Sequence, residues 1–308
     1  MNIVFLDQTT LPTPFLPFSF AHQLQTYAQT SPDQVCARIA NADIVLTNKV
    51  VLQKHHLDAA PKLKIIGVPA VGLDHIDQKT CATRNIQIFN AAGYASEGVA
   101  EHALMLMLAL RRKLLEYHQA AQDGTWSKSA QFCHFGRPFD DLNTQTLGII
   151  GGGGIGQALA RMAQGIGMNV LFAERQNAPE IRDGYASFDE VLNRADILSL
   201  HAPLNEKTHQ MINAKTLAMM KPTTILINTG RGGLINETDL LSALNTGAIA
   251  AAGLDVLSVE PPPKSHPLLT YSHDNLLITP HSAWLGSNSL ARIVQILHGK
   301  IEQAVKNP

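Results

Sequence analysis

Short apolar runs alternate with stretches of helical periodicity along most of this chain. Each run has the length of a strand that is buried on both faces of a sheet. Helical patterns fill the intervals, so the alternation predicts parallel α/β sheets. Strands are predicted over 3–6, 43–47, 63–68, 86–90, 147–150, 169–173, 197–201, 224–228, 249–256 and 276–279, and helices over 33–40, 96–118, 155–166, 188–193, 214–220, 239–245 and 287–304.

Two segments interrupt this alternation. Prolines at positions 12, 14 and 17 predict a loop after the first strand, because proline lacks the N–H that strands and helices use. Residues 122–143 follow no regular period, which is typical of an arm or connector. The helix predicted over 96–118 is apolar on more than one face, so we expect it at a domain or subunit contact.

A glycine-rich turn separates the run at 147–150 from the helical pattern after it. Gly151, Gly153 and Gly156 match the G-x-G-x-x-G spacing of dinucleotide-binding turns. In that motif the first glycine permits the turn, the second lets the pyrophosphate approach, and the third allows close helix–strand packing. The N–H groups near Gly154 and Ile155 would then face the phosphates at the positive end of the helix dipole.

An acidic residue ends the next predicted strand. Glu174 follows the run at 169–173, where such a sheet places an acid that holds the adenine ribose hydroxyls. A carboxylate there repels a 2′-phosphate, so Glu174 favours NAD over NADP. The adjacent Arg175 could accept that phosphate, which leaves NADP as the alternative cofactor.

The order of the elements predicts two doubly wound parallel-sheet domains, and 308 residues are enough for both. The glycine turn lies in the middle of the chain. We therefore expect a Rossmann domain for NAD over 98–285, inserted into a smaller flavodoxin-like substrate domain formed by 1–97 and 286–308. Ligands of such sheets bind at the carboxyl ends of the strands, and a cleft between domains is the usual place for a substrate.

Composition narrows the functional class. The net charge is −1 and 16% of the residues are charged, so no basic footprint indicates a nucleic-acid or anionic-membrane partner. The three cysteines are widely spaced and predict neither disulfides nor a metal site. The N-terminus reads as a strand rather than a signal peptide, and the apolar run at 103–110 is too short to span a bilayer. We therefore expect a cytoplasmic protein.

Polar clusters lie at the ends of three later strands. They contain Arg231, then Asp255 with the nearby Glu260, and finally His281. The carboxyl ends of parallel strands meet at one edge of a sheet. An arginine, a carboxylate and a histidine are therefore expected together over the nicotinamide end of the cofactor.

These motifs, in this order, make the chain similar to the D-2-hydroxyacid dehydrogenase family over nearly its whole length. Besides the glycine turn and the three clusters, the matching segments are 71–74, 99–102 and 201–204. Within the family, segment 170–175 and the short N-terminal unit resemble bacterial glycerate dehydrogenases, also named hydroxypyruvate reductases. The resemblance implies an NAD-dependent oxidoreductase that acts on the CH–OH group of a 2-hydroxy acid.

The resemblance implies catalytic roles for three residues. Arg231 would hold the substrate carboxylate and polarise the ketone through charged donors. His281 would give a proton to the carbonyl oxygen as hydride arrives from NADH, and would take it back in the reverse direction. Glu260 would hydrogen-bond His281, fix its tautomer and favour its protonated form.

The resemblance also implies binding residues around this triad. The backbone N–H groups of Val71 and Gly72 would bind the substrate carboxylate, and Asp255 would meet the nicotinamide amide. Trp284 would shape the substrate pocket or merely pack against it. Further cofactor contacts are expected from His201, Ala202, Pro203, Thr208, Thr229, Gly230 and His281. Thr208 has a structural alternative as a helix cap, and His102 is interpreted as a hydrogen-bonded histidine between the domains rather than a catalytic residue.

The leading hypothesis is that a homodimer reduces hydroxypyruvate to D-glycerate with NADH. Glyoxylate or another small 2-keto acid is the alternative substrate. A different class of protein, an NAD-sensing binding protein without turnover, would keep the same fold. The presence of Arg231, Glu260 and His281 together favours catalysis.

Overall fold

Parallel strands joined by helices account for the alternating pattern of the sequence. The structure, a computed structural model, describes residues 1–307. These residues divide into two units. The first unit is Met1–Ala95 together with the C-terminal segment from Leu285 onward, and the second is Ser96–Trp284.

The first unit contains one parallel sheet. Within residues 1–307 its strands are β1 (Asn2–Phe5), β2 (Gln23–Thr26), β3 (Ile44–Leu46), β4 (Ile65–Val68) and β5 (Gln87–Asn90). They lie in the order β2-β1-β3-β4-β5, and all neighbouring strands are parallel. This is the order of flavodoxin-like sheets, which confirms the expected fold class of this unit.

Helices cover both faces of this sheet. On one face, α1 (Val35–Ile39), α2 (Lys54–Asp58) and α3 (Gln78–Thr83) share an apolar core with β1, β3 and β4. The C-terminal helix (Ser287–Lys306) packs on the other face. There a Cβ added at Gly67 would lie 3.0 Å from Cδ1 of Ile301, so glycine allows this helix to approach the strand closely.

The second unit contains the longer parallel sheet. The strands in the described part of the chain are β6 (Thr146–Ile150), β7 (Asn169–Ala173), β8 (Tyr185–Ala186), β9 (Ile197–Leu200), β10 (Ile225–Asn228), β11 (Ala251–Leu254) and β12 (Leu276–Ile278). Their order is β12-β11-β10-β9-β6-β7-β8. This order contains the Rossmann arrangement. The chain adds strands β7 and β8 on one side of β6, and then crosses to add β9 to β12 on the other side.

Two apolar cores lie on opposite faces of this sheet. The helices are α4 (Ser96–Arg111), α5 (Leu114–Gln122), α6 (Gly154–Gly165), α7 (Phe188–Arg194), α8 (Ala214–Leu217) and α9 (Glu237–Thr246). Helices α4 and α6 pack against Ile149 on one face, whereas α7, α8 and α9 share a core with Ile150 on the other. Adjacent residues of a strand point to opposite faces, so the continuous apolar runs of the sequence are explained. The short 3₁₀ helices are Gln8–Thr10, Pro32–Gln34, Trp126–Lys128, Leu142–Thr144 and Gly232–Leu234.

The long helix predicted over 96–118 is wrong, because the chain bends between α4 and α5. Lys113 takes a left-handed conformation with φ 51° at the bend. Side chains before it are held by the irregular segment: Arg111 pairs with Asp140 (3.3 Å), and the Arg112 guanidinium lies 4.1 Å from the ring centre of Phe139. These tertiary contacts override the helical pattern at the bend, although residues 99–118 contain neither glycine nor proline.

Two edge strands have no predicted counterpart. Strand β2 has exposed residues throughout, so it carries no hydrophobic period. Strand β8 has two residues and is held by parallel pairing with β7. Elsewhere, no helix within residues 1–307 has both the length and the apolar character needed to cross a membrane.

Candidate active site

The central strands of the second unit end at the same level. The aligned terminal residues are Ala173, Ile150, Leu200, Asn228, Leu254 and Ile278. The segments after these residues therefore lie along one edge of the sheet. This edge carries the glycine turn and each of the polar clusters singled out in the sequence of this unit.

The glycine turn after β6 has the backbone that its spacing predicts. Gly151 has φ 108°, and a Cβ there would lie 2.5 Å from the carbonyl carbon of His201. A Cβ at Gly156 would lie 2.2 Å from the carbonyl oxygen of Gly151. At Gly153, by contrast, an added Cβ would have no atom of residues 1–307 within 4 Å. Two of the glycines are thus required by the protein itself, whereas the middle one borders open space.

Helix α6 begins in this turn without a side-chain cap. Gly153 is its N-cap residue, and the first bond into the helix runs from the N–H of Gln157 to the carbonyl of Gly153 (2.9 Å). The N–H groups of residues 152–156 donate to no acceptor in the described part of the chain. Unsatisfied N–H groups and the positive end of the dipole make such a helix start suited to phosphate.

Two buried polar atoms at this edge have no hydrogen-bond partner among residues 1–307. They are Nδ1 of His201 and Oγ1 of Thr229. The other ring nitrogen of His201, Nε2, lies 2.9 Å from Oγ of Ser199, and burial lowers the pKa of His201 to about 4. The imidazole is therefore neutral near pH 7. Unsatisfied buried groups next to a phosphate-binding turn fit a site that a ligand completes.

Thr208 stabilises a turn and does not cap a helix, because α8 begins at Ala214 with Asn213 as its N-cap. Its Oγ1 donates to the carbonyl of Pro203 (2.6 Å) and accepts from the N–H of Asn205 (2.9 Å). A contact between Thr208 and a phosphate stays a prediction. Ala202 borders the glycine turn, because its nitrogen would lie 2.6 Å from a Cβ at Gly151.

Glu174 lies at the expected strand end, and its carboxylate is engaged by groups of this chain. Oε2 accepts from Nε of Arg182 (2.5 Å), and Oε1 accepts from Nη2 of the same arginine (3.0 Å). The N–H of Arg175 also donates to Oε1 (2.8 Å). These bonds, led by those from Arg182, lower the pKa of Glu174 to about 2. Arg182 was not predicted as a site residue from the sequence.

The turn that carries Arg231 is shaped by Asn228. The Asn228 side chain accepts from the N–H of Gly230 (3.0 Å) and donates to the carbonyl of Arg231 (2.9 Å). Nη1 of Arg231 donates to the carbonyl of Gly230 (2.8 Å). A Cβ at Gly232 would lie 1.9 Å from the carbonyl carbon of Leu257, so the next residue must be glycine. The backbone on both sides of Arg231 is therefore held in place, by the Asn228 side chain before it and by the close approach of Leu257 to Gly232 after it.

His281 and Glu260 form a direct pair at the same edge. Nδ1 of His281 lies 2.6 Å from Oε2 of Glu260, while Oε1 accepts from the N–H of Leu257 (2.9 Å). The two side chains are about one-third exposed. His281 has φ 52°, and its N–H donates to the carbonyl of Asp255 (2.8 Å). A conformation that costs a non-glycine residue on the order of 1 kcal/mol is thus held in place by neighbouring bonds.

Asp255 anchors the loop that carries this histidine. Its buried carboxylate accepts from Oγ1 of Thr279 (2.5 Å) and from the N–H groups of Ser282 and Ala283 (2.9 Å each). Nε2 of His102 lies 2.9 Å from the same Thr279 hydroxyl. Thr279 ends the strand predicted over 276–279 and belongs to the third polar cluster, but no role was assigned to it from the sequence. A contact between Asp255 and a nicotinamide amide stays a prediction.

The remaining candidate substrate residues differ in their surroundings. Nε1 of Trp284 donates to the carbonyl of His281 (2.9 Å), so the indole packs on its own loop. In the first unit, Val71 is exposed and Gly72 is partly exposed. The N–H groups of these two residues donate to no acceptor in the part of the chain that is described. They are accessible donors, as a carboxylate-binding loop requires.

The second unit as a whole fits a nicotinamide dinucleotide. The open space at Gly153, the uncapped start of α6 and the orphaned Thr229 hydroxyl are each explained by a ligand with phosphates and polar edges. Comparison with known proteins gives the same result. The sequence model described as "D-isomer specific 2-hydroxyacid dehydrogenase, NAD binding domain" matches residues 104–283.

The chain belongs to the D-isomer specific 2-hydroxyacid dehydrogenase family. Glycerate dehydrogenase of Methylorubrum extorquens is 38% identical over 99% of this chain and 96% of its own length. Further relatives, from Blautia hydrogenotrophica and Korarchaeum cryptofilum, are named hydroxypyruvate reductase and glyoxylate reductase. Membership confirms the predicted family and the predicted enzyme class, an oxidoreductase that acts on 2-hydroxy acids with a nicotinamide dinucleotide.

Two solved structures of similar fold contain different cofactors. D-lactate dehydrogenase from Aquifex aeolicus, complexed with NAD and lactic acid, has a TM-score of 0.83 and 28% identity, covering 99% of this chain and 96% of that one. An acyclic imino acid reductase in complex with NADPH and D-Arg has a TM-score of 0.86 and 27% identity, covering 100% and 98%. A dinucleotide cofactor is thus supported for this chain, whereas the choice between NAD and NADP is not decided by similarity.

Proposed function

We propose that this protein reduces hydroxypyruvate to D-glycerate with NADH. The observation that carries the proposal is the His281–Glu260 pair, held at the same sheet edge as Arg231 and the glycine turn. An acid–base pair, a cation for a carboxylate and a dinucleotide site are the parts that reduction of a 2-keto acid needs. The name of the M. extorquens relative, glycerate dehydrogenase, supports this substrate over others.

His281 is the proton donor in this proposal. Its Nδ1 faces Glu260, which leaves Nε2 as the ring nitrogen that gives a proton to the ketone oxygen. Glu260 orients the ring and stabilises the charged imidazolium before transfer. When bound, the reduced nicotinamide supplies the hydride. In the reverse direction, Nε2 of His281 takes the proton from the hydroxyl group.

Arg231 binds the substrate carboxylate and polarises the ketone. A guanidinium presents a fork of donors that matches a carboxylate, and its charge stabilises the oxygen on which negative charge develops. The exposed N–H groups of Val71 and Gly72 are the proposed carboxylate donors of the first unit. Trp284 is proposed to border the substrate through the face that does not pack on its own loop.

The proposed cofactor site follows the strand ends of the second unit. The N–H groups around Gly154 and Ile155 bind the pyrophosphate, and Glu174 lies at the adenine ribose. Thr229, Gly230, His201 and Asp255 line the remainder of the site in this proposal. Thr229 is favoured by its orphaned hydroxyl, since a buried hydroxyl without a partner is costly unless a ligand supplies one.

The deciding experiment measures NADH oxidation with hydroxypyruvate, glyoxylate and pyruvate in parallel, with a control lacking keto acid. We expect the highest kcat/KM on hydroxypyruvate and D-glycerate as the product. A higher kcat/KM on glyoxylate would move the substrate to the one named in other relatives and leave the mechanism unchanged. NADH binding without turnover on any keto acid would instead support a cofactor-sensing protein.

We also propose that the protein is a homodimer joined through the segment between α4 and β6. Apolar side chains are exposed there, and 89% of Phe132 and 76% of Phe135 are accessible. Leu114 and Leu115, at the start of α5, are about half exposed. Such a concentration of exposed apolar residues is typical of a surface that another protein chain covers.

A further inference from the structure

The end of β7 contains an ion pair that changes the charge expected at the adenine ribose. Strand β7 ends at Ala173, and Glu174 follows it. The chain then leaves the sheet and returns at β8, where the N–H of Glu174 donates to the carbonyl of Ala186 (2.8 Å). This return places Arg182, three residues before β8, against the carboxylate of Glu174.

The pair is bidentate and asymmetric in exposure. Nε and Nη2 of Arg182 each donate to a different oxygen of Glu174, at 2.5 and 3.0 Å. The Glu174 side chain is 5% exposed, whereas that of Arg182 is 56% exposed. An approaching ligand therefore meets the guanidinium before it meets the carboxylate. A bidentate arginine–carboxylate pair is also the most strongly oriented kind of ion pair.

The Arg182 side chain lies close to the phosphate-binding turn. Its guanidinium carbon is 4.0 Å from the centre of the Tyr185 ring. The hydroxyl of the same tyrosine would lie 2.2 Å from a Cβ added at Gly152. One aromatic side chain thus separates Arg182 from the glycine turn, so the arginine belongs to the nucleotide end of the sheet.

These contacts change the charge that a 2′-phosphate would meet at the end of β7. An unopposed Glu174 would repel a 2′-phosphate. Here the formal charges of Arg175, Arg182 and Glu174 add to +1, and the two arginines are the exposed members. Glu180 and Asp183 lie on the same loop and bring the formal charge of residues 174–183 to −1. Within residues 1–307, however, neither acid forms a hydrogen bond or an ion pair with Glu174 or Arg182. Guanidinium groups match phosphate geometry better than any other side chain.

We propose that Arg182 determines cofactor selectivity by neutralising Glu174 and, with Arg175, offering a binding site for a 2′-phosphate. The enzyme consequently accepts NADPH as well as NADH. This inference rests on the proposed dinucleotide site, but it does not depend on which keto acid is reduced. Removing Arg182 exposes the charge of Glu174 and makes the site selective for NADH.

Direct binding tests this inference without the reaction. Dissociation constants of NADH and NADPH are measured from nicotinamide fluorescence, with no keto acid present. We expect the two constants of the wild-type protein to agree within about tenfold, since one charged hydrogen bond changes affinity by about that factor. Arg182→Met should raise the NADPH-to-NADH ratio of these constants by about tenfold or more. Arg182→Lys keeps the charge without the bidentate fork, so its ratio should lie between the two.

Two further variants separate this role from a merely structural one. Glu174→Gln leaves Arg182 without its counter-charge, so the ratio should move severalfold in the opposite direction, towards NADPH, on the same electrostatic argument. Arg194→Met is the matched control, because it breaks a similar pair with Glu190 (2.5 Å) on a surface helix of the same unit. Its ratio should equal that of the wild type.

Several outcomes would overturn the inference. One is a wild-type protein that binds NADPH more than about a hundredfold more weakly than NADH, which is the behaviour of an unopposed acid. Another is a ratio that Arg182→Met and Glu174→Gln both leave unchanged. A wild-type protein that binds neither NADH nor NADPH would contradict the proposed dinucleotide site itself. Normal binding ratios with no turnover of hydroxypyruvate would contradict only the proposed substrate.

Discussion

Nδ1 of His281 lies 2.6 Å from Oε2 of Glu260, and the remaining oxygen of that carboxylate accepts from the backbone N–H of Leu257. The carboxylate is therefore anchored before it orients the ring. This arrangement leaves one ring nitrogen, Nε2, for proton transfer. The two residues form a single acid–base device rather than two independent groups.

We expect His281→Asn to lower kcat by about 10²- to 10⁴-fold, the usual contribution of a positioned acid. Glu260→Gln should lower kcat less, because the ring is retained. The double variant should resemble His281→Asn, because residues that act as one unit are not additive. Steady-state kinetics with hydroxypyruvate and NADH dissociation constants check this cycle. Additive losses would show that Glu260 acts independently, and His273→Asn, which replaces a histidine outside the site, is the control.

Arg231 should affect the keto acid and not the cofactor. Arg231→Lys retains a charge but loses the fork of donors, so we expect kcat/KM for the keto acid to fall by about 10²-fold or more. The NADH dissociation constant should stay within about twofold, the scatter expected for a residue that does not bind the nucleotide. Arg292→Lys, on the exposed side of the C-terminal helix, is the matched control. An unchanged kcat/KM for Arg231→Lys would refute the assignment.

The glycine turn allows folding to be separated from cofactor binding. A Cβ at Gly153 meets no described atom within 4 Å, and its φ is −75°. Gly153→Ala should therefore leave the melting temperature nearly unchanged but weaken NADH binding by about 10-fold or more, because the methyl group occupies the approach of the pyrophosphate. Gly156→Ala should instead lower the melting temperature, since its Cβ would lie 2.2 Å from the Gly151 carbonyl. Equal NADH affinity in Gly153→Ala and the wild type would contradict this placement.

The strand ends explain why much of the candidate site is predictable from sequence. Buried parallel strands are apolar runs, and the residues after them must share one sheet edge. The glycine turn, Arg231 and His281 each follow such a run. Their proximity can therefore be predicted without knowing the conformations of the loops. The same reasoning gives the α/β class and the order of the principal elements.

The unpredicted features depend on contacts between segments that have no regular period. Arg182 reaches Glu174 because a two-residue strand, β8, returns the chain to the sheet edge. The bend at Lys113 depends on the partners of Arg111 and Arg112 in the irregular segment. The hydrophobic pattern predicts neither the Arg182–Glu174 pair nor the bend at Lys113, because the groups that form them are charged. The partners of an arginine depend on tertiary geometry.

Dimerisation through the segment between α4 and β6 predicts a change in mass. Phe132→Asp combined with Phe135→Asp places two charges on the exposed apolar surface, so we expect the dimer to dissociate at micromolar concentration. Multi-angle light scattering measures the mass directly. Leu16→Asp alters an exposed apolar residue of the first unit and should leave the mass unchanged. A monomeric wild-type protein would contradict the proposed dimer.

The packing of the C-terminal helix on the rest of the first unit should weaken at acidic pH. The N–H and hydroxyl of Ser19 both donate to Glu302, and Lys306 pairs with the same carboxylate (3.0 Å). Together these bonds lower the pKa of Glu302 from 4.5 to about 2. A carboxylate whose pKa is depressed by folding stabilises the folded state above its unfolded pKa, and this contribution is lost as the pH falls towards 2.

Glu302→Gln should therefore speed hydrogen exchange in the C-terminal helix at pH 7, and the difference from wild type should shrink between pH 4.5 and pH 2. Comparison at each pH cancels the intrinsic pH dependence of exchange, and Glu190→Gln, which alters a surface pair of the second unit, should have no effect on this helix. A difference that persists undiminished at pH 2 would mean that Glu302 acts through packing and not through its charge.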